Sequence, residues 1–116
     1  NDREYRQASI SKSNEALALY GAGETAQAVK EMEAVVRKDP GLTDMHVALA
    51  AVYWDRDEAA RAEGQWSFAC ENIDTGCQAY KDLKWVRGIR RWPPALADKL
   101  QRFLDHDSSK DSKAKS

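Results

Sequence analysis

The sequence predicts an all-α fold, with about six helices paired into three antiparallel hairpins. Three observations carry that reading. The chain is rich in charge and poor in helix breakers, with 32% charged residues, six glycines and three prolines in 116 residues. It resembles itself when shifted by 34 residues, which sets Ala16 on Ala50, Leu19 on Tyr53, Ala28 on Ala62, Met32 on Trp66 and Val35 on Ala69. Small residues at such positions let helices cross closely, and large ones fill the gap between them. Breakers then fall where hairpin turns are needed. A hydrophobic fraction of 42% supports one core, so wholesale disorder is not expected, and the length fits a single domain.

The elements follow in order. Gly21 and Gly23 separate the first two helices. Pro40-Gly41 ends the second, and Thr43 is the expected N-cap of the third. Asp55 to Asp57 forms the next turn, with Asp57 as the expected cap of the fourth helix, and Asp74-Thr75-Gly76 ends that helix. A fifth helix is expected over 78–90. Arg91-Trp92-Pro93-Pro94 forces a turn because proline lacks a donor and disfavours a helical predecessor. Pro94 suits the first turn of a sixth helix, whose Leu96, Leu100, Phe103 and Leu104 share one apolar face.

The 34-residue period resembles that of tetratricopeptide repeats. The second unit matches best, with His46, Leu49, Ala50 and Tyr53, then Ala62, Trp66 and Ala69. In the first unit Ala28, Met32, Val35 and Asp39-Pro40 match the second helix. Lys12 and Glu15 replace apolar residues in its first helix, as in an exposed N-terminal cap. The resemblance divides a single domain over 1–106 into a first repeat at 9–42, a second at 43–76 and an atypical capping hairpin at 77–106. The remainder, 107–116 (DSSKDSKAKS), is a polar low-complexity tail that buries nothing of its own and is expected to make a second partner contact.

A formal net charge of -1 hides an asymmetry. Residues 41–77 hold two basic and seven acidic side chains, whereas 78–104 hold seven basic and two acidic. Either the two segments neutralise each other, or they form a bipolar surface that orients a partner. The overall balance does not favour nucleic acid. No apolar run is long enough for a membrane span.

Few residues invite chemistry. Glycine-rich phosphate loops, nucleophile elbows and zinc-protease motifs are absent, and two histidines with two cysteines give little for a metal cage. No catalytic residue, cofactor or metal is expected, and the chain reads as a non-enzyme. Cys70 and Cys77 would lie about 10 Å apart on one helix, too far to bridge, but a break between them lets the chain fold back. Two small buried thiols, a disulfide tying the second hairpin to the third, and a redox-active pair all remain open.

Trp85, Arg87, Arg90, Arg91 and Trp92 form a basic-aromatic cluster. It reads as packing of the cap with arginines paired to the acidic middle, as a protein interface, or as a single-strand nucleic-acid platform. A concave groove lined by the first helix of each hairpin adds Leu17, His46, Ala50 and Tyr53 as candidate partner-binding residues. The inward positions Ser13, Leu17, Val47 and Ala51 carry no evident clamp for a C-terminal carboxylate.

The stretch 65–106 is similar to the C-terminal segment of a plant and algal group, the tetratricopeptide-like proteins of the chloroplast thylakoid lumen. Trp66-x-Phe68-Ala69-Cys70, Gly76-Cys77, Trp85-Val86-Arg87 and Ile89-Arg90-Arg91-Trp92-Pro93-Pro94 carry the similarity. It implies a lumenal location after loss of a transit peptide, which agrees with a start at Asn1. It also implies protein binding around photosynthetic membrane complexes, as a peripheral subunit or as a transient assembly factor.

Overall fold

The computed structural model describes residues 2–73 and 76–115. These form six α-helices, one 3-10 turn and no strand. The first hairpin is α1 (Asp2–Gly21) with α2 (Thr25–Lys38), and the second is α3 (Thr43–Asp55) with α4 (Ala59–Asn72). The third pairs a short α5 (Leu83–Gly88) with α6 (Pro94–Lys115). The chain is thus an all-α stack of helical hairpins.

α3 lies at the centre. It packs against α2, α4 and α6, so every residue from Asp44 to Tyr53 is buried. α5 has six residues, too few to cover a flank of α3, and α6 covers it instead. Leu96, Leu100 and Phe103 deliver fully buried side chains to that contact, and Trp66 and Trp54 meet the Phe103 ring edge-on at 5.5 and 6.0 Å. α1 buries only one stripe, Ser9, Ser13, Ala16, Leu17 and Tyr20. Lys12 and Glu15 stay exposed and pair at 3.2 Å.

The turns repeat as the sequence does. After α1, Gly23 has φ 90°, Glu24 N donates to Leu19 O at 2.9 Å and Gly23 N to Tyr20 O at 3.1 Å. After α3, Asp57 has φ 63°, Glu58 N donates to Tyr53 O at 2.9 Å and Asp57 N to Trp54 O at 3.0 Å. Both are Schellman closures, in which a left-handed residue lets two amides satisfy the last free carbonyls of a helix. Arg91, between α5 and α6, has φ 55°. Among the described residues these three have positive φ, and each is 34 residues from the next. Leu96, Leu100 and Phe103 likewise stand 34 residues beyond Ala62, Trp66 and Ala69, all of them buried. The period runs through the cap, which is a shortened third unit.

Several boundaries differ from expectation. The helix expected over 78–90 is broken: Ala79–Lys81 is a 3-10 turn and Asp82 is extended. The Asp82 carboxylate accepts from Lys84 N and Trp85 N at 3.1 and 3.4 Å, which starts a new helix rather than continuing one. Leu42, not Thr43, is the N-cap of α3, and no side chain caps it. Asp57 is the left-handed residue, and Glu58 precedes α4 without a side-chain cap bond. Asp74 and Thr75 lie outside the described residues. The polar tail from Asp107 continues α6 to Lys115, with the side chains of 108–116 outside the described set. No helix among the described residues is long and apolar enough to cross a membrane.

Candidate functional site

A groove runs between α1 and the segment leading from α5 into α6. Two adjoining depressions form it and share Asn14 and Arg90. One wall is Arg6, Ile10, Asn14 and Leu17 of α1, and the other is Trp85, Arg90, Arg91 and Trp92. Residues 42–44, where the chain enters α3, and Tyr80 make the floor.

One carboxylate organises the cap wall. Asp44, in the first turn of α3, is 5% exposed. Its Oδ1 accepts from Tyr80 Oη at 2.6 Å, Trp92 Nε1 at 3.1 Å and Arg90 Nε at 3.2 Å, while Arg90 Nη2 lies 3.0 Å from Oδ2. A carboxylate there also faces the positive end of the α3 dipole. Burial first, and then the neighbouring Asp44, push the Tyr80 phenol above its ordinary range, so it remains a donor. The hydrogen bond from Arg90 to Asp44 raises the guanidinium further. The Tyr80 ring meets Trp85 edge-on at 5.0 Å and tilts against Trp92 at 5.9 Å. Two aromatic side chains and an arginine are therefore bonded to one buried carboxylate, and Trp85 packs on the first of those rings.

Of the residues singled out in the sequence, Leu17, Trp85, Arg90, Arg91 and Trp92 come together in this groove. Leu17 and Trp92 are buried within its walls, Trp85 and Arg90 are half-buried, and Arg91 is exposed. The other four do not belong to it. Ala50 is fully buried. His46 faces away, its Nε2 2.7 Å from Pro40 O and its Nδ1 2.7 Å from the Gln65 side-chain amide, with its ring stacked on Phe68 at 4.6 Å. A carbonyl only accepts, so Nε2 carries a proton. Tyr53 bridges α2 and α4, donating to Glu33 Oε2 at 2.5 Å and accepting from Arg61 Nη2 at 2.9 Å. Arg87 pairs at the surface with Asp98, 2.8 Å away. His46 and Tyr53 are thus enclosed by contacts with the neighbouring helices α2 and α4, whereas Arg87 stays at the surface.

Sequence reasoning missed Asp44, Tyr80 and Asn14. Ile89, which precedes Arg90 in the chain, is 71% exposed, an unusual setting for a large apolar side chain. An aspartate early in a helix reads as a dipole partner, and nothing local to it announces three distant donors.

The charge asymmetry resolves partly into pairing. Arg90 meets Asp44, and Lys99 and Arg102 meet Asp55 at 3.2 and 3.6 Å. Lys81, Lys84 and Arg91 stay exposed and make no ion pair with a described residue.

Cys70 and Cys77 form a disulfide, with Cα atoms 4.8 Å apart. Gly76 permits the fold-back, because a Cβ there would sit 2.1 Å from the Ala69 carbonyl oxygen. Among the described residues no group of three or more His, Cys, Asp or Glu side chains could hold a metal ion. No family model, curated protein or solved structure matches the chain.

Proposed function

We propose that this chain is a non-catalytic protein-interaction module that docks on a larger assembly through the groove between α1 and the cap. The carrying observation is the cap wall, where Arg91, exposed and without an ion pair among the described residues, and half-buried Trp85 stand beside rings bonded to Asp44. Arginine and aromatic anchors held rigidly lose little entropy on binding, which is the character of interface hot spots.

The assembly we favour is a photosynthetic membrane complex, a photosystem, met from the thylakoid lumen. The similarity of residues 65–106 to lumenal tetratricopeptide-like proteins supports that placement. So does the disulfide, since such bonds persist in oxidising compartments. The 34-residue recurrence of left-handed turns supports the repeat resemblance.

Affinity capture from thylakoids with mass spectrometry of the bound proteins tests this. Stoichiometric recovery with the mature complex is the expected result and marks a peripheral subunit. Recovery with precursors alone marks the second reading, a transient assembly or stability factor using the same surface. A thiol-disulfide role through Cys70 and Cys77 is a third reading. The near-complete burial of Cys77, 3% exposed, disfavours a redox pair that turns over on other proteins.

A further inference from the structure

We propose that the Cys70–Cys77 disulfide is a thiol-exchange site whose reduction loosens the cap wall of the groove. The inference rests on the groove being the docking surface and adds a means of regulating it.

The segment 76–82 has no α-helix of its own. Among the described residues, the disulfide ties it to the last turn of α4, and Tyr80 bonds to Asp44. Tyr80 comes three residues after Cys77, and its ring touches both Trp85 and Trp92. The covalent tie is thus one short step from the groove wall. With the tie cut, the covalent link of this segment to α4 is gone and Tyr80 is left to its polar contacts with Asp44 and Arg90.

The two sulfurs are not equally open. Cys70 is half-buried on α4, whereas Cys77 is buried. A dithiol reductant therefore attacks Cys70 Sγ as its thiolate. The S–S bond breaks, Cys77 leaves as a thiolate and takes a proton from water, and a mixed disulfide forms at Cys70. The second thiol of the reductant displaces Cys70, which is protonated in turn. Two electrons pass to the protein, and the reductant ends as its own disulfide.

Hydrogen exchange on the full chain, with and without dithiothreitol, tests the coupling. The amides of Lys81, Asp82 and Trp92 are good reporters, bonded to Gln78 O, Ala79 O and Val86 O. Reduction is expected to speed exchange over 79–92 at least tenfold more than over α2 and α3. A Cys70→Ser/Cys77→Ser double variant should show the same pattern without reductant. Unchanged protection over 79–92 would overturn the proposal, as would an equal loss over α2 and α3, or a disulfide that resists dithiothreitol in the folded chain. Arg91→Glu should leave the exchange pattern intact. If that variant still docks, the groove reading fails while the coupling stands.

Discussion

Asp44 accepts a 3.1 Å hydrogen bond from the Trp92 indole, although 48 residues separate them. The same carboxylate holds Tyr80 and Arg90, so the first turn of α3 ties down the segment from Tyr80 to Trp92. Removing it should be costly. Asp44→Ala leaves a half-buried guanidinium and two enclosed donors unpartnered, and is expected to lose about 3 kcal/mol or more in urea unfolding. A loss under about 0.5 kcal/mol, the size of an ordinary surface change, would mean that the carboxylate does not organise the cap.

The left-handed turns give a test of opposite signs. Asp57, with φ 63°, sits where Gly23 sits one period earlier. Asp57→Gly should raise stability by about 0.5–1 kcal/mol, while Gly23→Ala should lower it by about 1 kcal/mol. Thermal melts of both variants decide it, and two shifts of the same sign would contradict the equivalence.

The disulfide closes a short loop, which limits what it can contribute. Cys70→Ser/Cys77→Ser is expected to reduce stability by about 2–3 kcal/mol in chemical unfolding, with the helical circular dichroism retained.

Tyr53 links α2 to α4, and its phenol is pushed up to about 12, first by burial and then by its bond to Glu33. Its folded value lies above the unfolded one, so its contribution is fully present below about pH 10 and is lost as pH rises through about 12. Stability should fall over that interval, and Tyr53→Phe should make the fall shallower. An identical alkaline profile in the variant would count against the Glu33 link.

Much of this fold is legible in the sequence where breakers and apolar spacing coincide. Gly21 to Gly23, Pro40-Gly41 and Pro93-Pro94 mark turns because few other conformations suit them, and Leu96, Leu100 and Phe103 mark the buried face of α6. The third turn is harder to read, since arginine carries no preference for the left-handed region that Arg91 occupies. The break at Asp82 had a local signal, a capping aspartate, outweighed by the run of helix formers around it. The groove was legible in its Trp and Arg residues. His46 and Tyr53 were misplaced because periodicity says which helix face is apolar, but not which neighbour covers it. Asp44 could not be found locally, since its partners arrive from 36, 46 and 48 residues away.

That hub also governs how the docking surface should be probed. Reversing Arg90 would disturb Asp44, whereas Arg91 is exposed, makes no ion pair with a described residue and can be reversed alone. The most direct measurement is affinity capture from thylakoid extracts with the wild-type chain and Arg91→Glu in parallel, with matching melts for both. Docking through the groove predicts that the wild type recovers photosystem subunits and that Arg91→Glu, melting within a few degrees of it, loses most of that recovery. Equal recovery by a folded Arg91→Glu chain would contradict the groove as the docking surface, and a wild type that recovers no photosystem subunit would contradict the assignment of the partner.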